Sequence, residues 1–169
     1  MGFKKASELI TISGGLSESG ANTFTQKEVS LDLDPISREI FVVTDCYLDP
    51  SFPSQVPATH TVVSTSLSTT TRTAVGTIGT SDVILAVRED ILGGAAEWNF
   101  ARTAAPMSDV TSGTSMDYLA IISTSNFFVQ CQGTANTVAK GVNYRLIGYR
   151  AKADADTYAA LVASEVLSS

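Results

Sequence analysis

Residues Arg38–Leu48 read REIFVVTDCYL, and this stretch decides the fold class. Successive side chains of a strand point to opposite faces, so the four apolar residues of Ile40–Val43 make both faces apolar. The stretch lies between two turn-forming pairs, Asp34-Pro35 and Asp49-Pro50. A short run that is apolar on both faces indicates a central strand, or a strand whose outer face is covered by a partner.

The remaining chain consists of similar short segments separated by turn residues. Val83–Val87 is also apolar on both faces, while Tyr118–Ile122 and Phe127–Gln132 flank a polar segment of four residues that predicts a hairpin loop. Short strands without helical periodicity between them are typical of an antiparallel β-sandwich or barrel and argue against βαβ units. The sequence therefore predicts an all-β fold. The predicted extended segments are Leu9–Ser13, Thr23–Leu33, Arg38–Leu48, Thr59–Ser68, Thr71–Ile78, Val83–Glu89, Glu97–Arg102, Tyr118–Ser123, Phe127–Gln132 and Asn143–Ala151.

The end of the chain departs from the β pattern. Residues 154–167 are rich in Ala, and Asp154 and Asp156 suit an N-cap and a first helical turn. We expect one short C-terminal helix. Because so short a helix is marginal alone, its apolar stripe should dock on the sandwich or on a neighbouring subunit. The residues at helical spacing are Tyr158, Leu161, Val162 and Val166.

Length and charge limit the domain organisation and the partners. The 169 residues predict a single domain over 1–169, with an N-terminal arm (1–21), a sandwich (22–153) and the helix (154–167). The net charge of −6 disfavours a nucleic-acid partner, which needs clustered Lys and Arg. The sequence contains no run of about 18 apolar residues, so it predicts no membrane span. The first residues lack the apolar segment of a secretory signal, so we expect synthesis in the cytoplasm.

The tract Ala58–Thr80 has the most unusual composition of the chain. Its 23 residues contain no Lys, Asp or Glu, and 12 of them are Ser or Thr. Thr fits a half-buried extended backbone, and hydroxyls are desolvated and paired more easily than charges. We interpret the tract as β structure with weakly marked faces and as the best candidate for a subunit contact. Arg72, its lone full charge, is then a candidate anchor for a neighbour's carboxylate.

The sequence offers few candidates for chemistry. His60 is the only histidine, and no nucleophile motif accompanies it, so a strand-end histidine is the favoured interpretation over a catalytic one. Asp32 and Asp34 alternate and should share a strand face, with Asp45 and Asp49 as neighbours. Such oxygen-rich clusters bind Ca²⁺, although no calcium-binding loop motif is present and solvated strand-end carboxylates are the alternative. We assign no catalytic, cofactor-binding or metal-binding residue.

Trp98 and the two cysteines have ordinary structural interpretations. Trp98, the only tryptophan, fits a core position, with a sugar-stacking platform as the alternative. Cys46 and Cys131 lie in apolar runs 85 residues apart, a spacing that fits no metal or redox motif. They are interpreted as buried thiols, with a disulfide between neighbouring strands as the alternative.

Three features taken together resemble a known class of protein. They are the succession from Thr23–Asp34 into Ile40–Asp45, the hydroxyl-rich middle of the chain, and the strand-to-helix passage at Tyr149–Asp154. Over nearly its whole length the chain resembles small single jelly-roll structural proteins, capsid or capsid-decorating, of environmental or marine phages and archaeal viruses. The resemblance implies a single jelly-roll of about eight strands that assembles with itself or docks on a shell. It transfers no functional residue.

Two functions follow as hypotheses. The first is a non-enzymatic virion structural protein, whose partners are copies of itself and other virion proteins and which needs no cofactor, nucleic acid or small-molecule substrate. The second is a carbohydrate-binding or adhesive β-sandwich module, which would present exposed aromatic side chains to a sugar. A cupin-like enzyme is excluded because it needs two or three histidine ligands for its metal, and the chain has one.

Overall fold

The computed structural model describes residues 2–93 and 117–167 with their side chains and residues 99–104 by their backbone. Ten strands and one helix lie in this described part of the chain. They are β1 (Phe3–Lys5), β2 (Ile10–Ser17), β3 (Thr25–Ser30), β4 (Glu39–Pro50), β5 (Thr61–Ser68), β6 (Val83–Gly93), β7 (Asn99–Ala104), β8 (Ala120–Ile122), β9 (Asn126–Thr134), β10 (Gly141–Ala153) and α1 (Ala155–Leu167).

The strands form two antiparallel sheets of five strands each. In sheet A, β1 and β2 both pair with β10, which is followed by β4 and β8. Sheet B has the order β3-β9-β5-β6-β7. Apolar side chains from both sheets meet in one buried core, with Phe41 and Leu146 from sheet A and Leu67 and Phe127 from sheet B. The prediction of an all-β antiparallel sandwich with one short C-terminal helix is confirmed.

The strand pairs are nested along the chain. β5 pairs with β6, β4 with β8, β3 with β9, and β2 with β10. All four pairs share one centre, so the chain runs as a long double-stranded ribbon that turns back on itself between β5 and β6. Two further pairs, β4 with β10 and β5 with β9, join the ribbon side by side. The loop at residues 69–82 therefore forms the closed end of the ribbon.

β4, which holds Glu39–Leu48 of that stretch, is a central strand that is covered on both faces over Ile40–Val43. It lies between β10 and β8 in sheet A. Phe41 and Val43 belong to the core between the sheets, whereas Ile40 and Val42 belong to a second apolar cluster on the outer face. All four side chains are buried. The prediction of a central strand is confirmed, and its outer face is covered within the same chain.

α1 provides that cover. Asp154 caps its first turn, and Tyr158 and Leu161 pack against the cluster that contains Ile40 and Val42. The predicted stripe is wrong at its end, because the side chain of Val166 is 61% exposed. Glu165, one position earlier, is the buried residue of the helix.

The strand predicted over Thr71–Ile78 does not form. In this segment backbone groups bond to side chains instead of to a neighbouring strand: the N–H of Arg72 donates to Gln26 Oε1, and the N–H of Gly76 donates to Ser66 Oγ. Such side-chain bonds give the backbone an alternative to a ladder. Residues 69–82 form a loop that lies on the outer face of sheet B.

The hairpin predicted between Tyr118–Ile122 and Phe127–Gln132 is also wrong. β8 pairs with β4 in sheet A, whereas β9 pairs with β3 and β5 in sheet B. The four polar residues thus connect two sheets and not two paired strands. Local turn chemistry is the same in both cases, and it does not specify which strands pair.

Two further predictions concern the N-terminal segment and the strand that leads into β7. The segment predicted as an arm, 1–21, holds β1 and β2, and both strands pair with β10. The strand predicted over Glu97–Arg102 overlaps β7, and its first two residues lie outside the described residues.

Candidate functional site

The hydroxyl-rich tract divides into a buried strand and a loop that covers it. Seven of the eight residues of β5 are buried. On its outer face, Ser66 Oγ donates to Gln130 Oε1 at 2.7 Å, and Gln130 Nε2 donates to Ser68 Oγ at 2.7 Å and to Gln26 Oε1 at 2.9 Å. Gln130 is fully buried. These hydroxyls and amides therefore satisfy one another in the protein interior, where unpaired polar groups are costly.

Arg72 belongs to the same loop and is used inside the chain. Its Nη1 lies 2.6 Å from Asp82 Oδ1 and 2.8 Å from Oδ2, and Thr70 Oγ1 donates to Asp82 Oδ2 at 2.7 Å. The Asp82 side chain is 0% exposed, and that of Arg72 is 21% exposed. The guanidinium that the sequence made a candidate anchor for a neighbour's carboxylate thus pairs with Asp82 of its own chain and closes its own loop.

The loop leaves a groove of about 550 Å³ against sheet B. Its wall includes Val75 and Ile78, and its floor includes Ser64, Ala86 and Gln132. The Ile78 side chain is 67% exposed at the outer edge. The groove thus combines a few apolar side chains with neutral polar ones and with Arg88, and its lining holds no pair of groups suited to acid–base chemistry.

His60 lies at the start of β5 in an ion-pair cluster. Its Nε2 lies 3.0 Å from Asp90 Oδ1, and Arg88 Nε lies 2.9 Å from the same oxygen. Burial raises the pKa of Asp90, but the hydrogen bonds from Arg88 and His60 outweigh this effect and leave the pKa below its usual value. In residues 2–93 and 117–167 the ring of His60 has no serine or cysteine partner. The histidine is therefore oriented by Asp90 but has no side chain beside it that could act as a nucleophile.

Asp32 and Asp34 do not share a strand face. Both follow the end of β3, and Asp32 has a φ of 50°, which takes the chain out of an extended conformation. Asp32 Oδ1 accepts from Ser30 Oγ at 2.6 Å, and Asp34 Oδ1 accepts from the N–H of Ile36 at 2.9 Å. Each carboxylate thus stabilises its own turn. Within the described ranges, no group of three or more His, Cys, Asp or Glu residues is placed to hold a metal ion.

The two cysteines are buried in the core and free. Burial raises the pKa of Cys46 to about 12, and burial together with the nearby charge of Glu18 raises the pKa of Cys131 to about 12. Thiolates are the reactive form of cysteine, so neither residue suits nucleophilic chemistry. Trp98 lies outside the described residues.

Glu165 is a buried acid that sequence reasoning missed. Its Oε2 accepts the N–H groups of Ser123 and Thr124, each at 2.9 Å, and it also accepts from the Ser123 hydroxyl. Burial raises its pKa above the usual value despite these bonds. Glu165 therefore ties α1 to the loop that crosses between the sheets. Its position four residues after Leu161, on the docking stripe, is the signal that could have revealed it.

Glu18 is the second such acid, and it joins two loops at the opposite end of the sandwich. Its Oε1 accepts the N–H of Gly133 at 2.6 Å, and its Oε2 accepts the N–H of Lys140 at 2.7 Å. Only 6% of the residue is exposed. No spacing in the sequence indicates this role, because both partners are backbone groups more than a hundred residues away.

The part of sheet A that α1 does not cover presents a groove of about 400 Å³. In one row across the sheet, Arg145 of β10 lies between Ser13 of β2 and Tyr47 of β4. In the adjacent row, Asn143 lies between Gly15 and Asp49. We call this surface the Tyr47 face. It is formed by Ser13, Gly15, Tyr47, Asp49, Asn143 and Arg145.

None of the helices in the described ranges is long and apolar enough to cross a membrane. Comparison with protein-family models, with curated proteins and with solved structures gave no match. The assignment of a function therefore rests on the strand pairing and on the surfaces described above.

Proposed function

We propose that the protein is a non-enzymatic structural subunit of a virion, a jelly-roll that assembles with itself or docks on a capsid. The nested strand pairing carries this proposal. A jelly-roll arises when a double-stranded ribbon wraps into two sheets that share its strands, as two Greek keys. The four nested pairs, β2:β10, β3:β9, β4:β8 and β5:β6, fit that description, and β4:β10 and β5:β9 supply the contacts of the wrapped ribbon.

Jelly-rolls serve as viral capsid domains, as lectins and as cupins. The cupin function lacks its histidine ligands, since His60 is the only histidine and pairs with Asp90. The buried cysteines and the locally bonded carboxylates of Asp32 and Asp34 also offer no reaction centre. Capsid and lectin functions remain, and both depend on surfaces instead of on catalytic groups.

The loop at residues 69–82 is the surface that favours a structural role. The outward-facing surface of this loop, which we call its crest, carries exposed hydroxyls and Ile78, which is 67% exposed. The one pair of full charges in the loop, Arg72 and Asp82, is neutralised beneath the crest. Interface cores are depleted in charged residues, so this crest can be desolvated at little electrostatic cost. We therefore infer that residues 69–82 contact a neighbouring subunit or another virion protein.

The test compares the purified protein with two variants by light scattering and negative-stain microscopy. Ile78→Asp places a charge in the inferred contact and should shift rings, shells or oligomers towards monomers. The matched control is Ile36→Asp, because Ile36 is 91% exposed and lies in the turn between β3 and β4. A strictly monomeric protein that also fails to bind capsids would refute the structural function. Equal effects of the two variants would refute the assignment of the contact to the loop.

A further inference from the structure

The Tyr47 face differs from the rest of the outer surface of sheet A. Towards one end of the sheet, apolar side chains lie beneath α1. The remaining rows are open, and Tyr47 there is 46% exposed on a strand. An exposed ring in a groove flanked by polar side chains presents both an apolar surface and hydrogen-bonding groups to one ligand.

The polar groups of this face are available to a ligand. Within residues 2–93 and 117–167, the side chains of Asp49 and Asn143 have no hydrogen-bond or ion-pair partner. Arg145 makes one long bond, from Nε to Ser13 Oγ at 3.3 Å, and has no ion pair in the same ranges. Together they offer carboxylate and amide oxygens as acceptors and amide and guanidinium N–H groups as donors.

Backbone geometry creates the depression between them. Gly15 lies across β10 from Asn143, in the same row as Asp49. A Cβ atom at Gly15 would lie 3.1 Å from Asn143 Oδ1 and would crowd the amide. The absence of this side chain leaves the Asn143 amide accessible from the edge of the sheet formed by β2.

We propose that the Tyr47 face is a saccharide-binding site. A pyranose has an apolar C–H face and an equator of hydroxyls, and each part has a counterpart here: the ring of Tyr47 for the apolar face, and Asp49, Asn143 and Arg145 for the hydroxyls. The groove volume of about 400 Å³ lies in the range of small-ligand sites. The site is independent of the loop at residues 69–82, which lies on the other sheet.

The local charge selects the class of sugar. Asp49 and Arg145 are the charged residues that line the groove, and their opposite charges balance each other. A groove without net charge does not attract an anionic sugar, whereas a neutral hexopyranose meets only hydrogen-bonding groups. We therefore expect neutral sugars to bind more tightly than uronic acids.

The test is a ¹H–¹⁵N NMR titration of the whole chain with methyl glycosides of glucose, galactose and mannose, with N-acetylglucosamine, and with glucuronate. We expect saturable shifts of the Tyr47, Asn143 and Arg145 signals with at least one neutral sugar. Tyr47→Ala and Asp49→Ala should each weaken that binding by about tenfold or more, as truncating a central contact does. The matched control, Phe52→Ala, removes another exposed aromatic residue, 59% exposed in the loop after β4, and should leave binding unchanged.

Three outcomes would overturn the proposal. The first is the absence of shifts at the Tyr47 face with every sugar up to about 50 mM, which is well above a millimolar dissociation constant. The second is binding that persists in both Tyr47→Ala and Asp49→Ala. The third is a change of oligomeric state in these variants without loss of sugar binding, which would assign the Tyr47 face to subunit contacts. The first two results leave the Ile78→Asp test of assembly unaffected, whereas the third would identify a subunit contact on the other sheet.

Discussion

Arg72→Ala is the substitution for which the sequence and the structure predict different results. If Arg72 bound a neighbouring subunit, its removal would weaken association and leave the folded subunit intact. In the structure the guanidinium instead pairs with Asp82, whose side chain is fully buried beneath the loop at residues 69–82. We therefore expect Arg72→Ala to destabilise the subunit itself.

The size of the effect follows from what remains around Asp82. Removing one partner of a buried ion pair destabilises a protein by about 3–5 kcal/mol, because the other charge is left uncompensated. Here the Thr70 hydroxyl still donates to Asp82 at 2.7 Å. The position of Arg72 is 21% exposed, so water can enter the vacated space. We expect a loss of about 2–4 kcal/mol, a large part of the ~5–15 kcal/mol that stabilises a typical domain.

The assay is urea denaturation followed by circular dichroism, with the oligomeric state measured on the same samples. Arg72→Ala combined with Asp82→Asn removes the buried charge as well and should recover about 1–2 kcal/mol of the loss. Lys5→Ala is the control: Lys5 pairs with Glu8, and the two side chains are 49% and 98% exposed, so a loss below ~1 kcal/mol is expected. If Arg72→Ala lowers association while the free energy of unfolding stays within ~0.5 kcal/mol of wild type, our account of Arg72 is wrong.

Other substitutions test the interior. Burial raises the pKa of Glu165 above 4.5, so the folded state holds this proton more tightly than the unfolded chain, and the free energy of unfolding should fall as the pH rises above 4.5. Glu165→Gln should remove that slope in denaturation curves, and equal slopes for both proteins would contradict the assignment. The thiols of Cys46 and Cys131, with pKa values of about 12, should react with an aromatic disulfide reagent only after denaturant is added, so rapid labelling of the native protein would show that the core is open. Gly148→Ala drives a Cβ atom into the carbonyl oxygen of Val42 and should cost about 1–3 kcal/mol in the same denaturation assay, whereas unchanged stability would mean that β10 and β4 are less tightly packed than described.

The sequence predicts those elements whose signal is local. Ile40–Val43 is apolar on both faces because it is covered twice, by the sandwich core on one side and by α1 on the other. The C-terminal helix is also encoded locally, by the capping residue Asp154 and by the spacing of Tyr158 and Leu161. Such patterns depend on the alternation of faces along one segment, which a single sequence contains in full.

Predictions fail where the partner is distant in the chain. Turn residues between Ile122 and Phe127 indicate that the chain changes direction, but a change of sheet and a hairpin need the same local chemistry. Thr71–Ile78 has the composition of a strand, yet the amide of Gln26 and the hydroxyl of Ser66 capture its backbone N–H groups. The Tyr47 face was missed for the same reason, since its residues come from three strands that only the register brings side by side.

The hydroxyl-rich composition of Ala58–Thr80 therefore serves two physical roles in one tract. In β5 the hydroxyls are interior groups, and Ser66 and Ser68 bond to Gln130 so that a polar loop can lie on a sheet without unsatisfied atoms. On the crest of the loop the hydroxyls face outwards, where they keep the surface wettable and free of exposed charge. Because the crest is fixed from below by the pair of Arg72 and Asp82, the proposed association would require little further ordering, and preorganised surfaces lose less entropy on association. Since the surface charges there are few, association through this crest should change little between low and high salt, unlike contacts built on ion pairs.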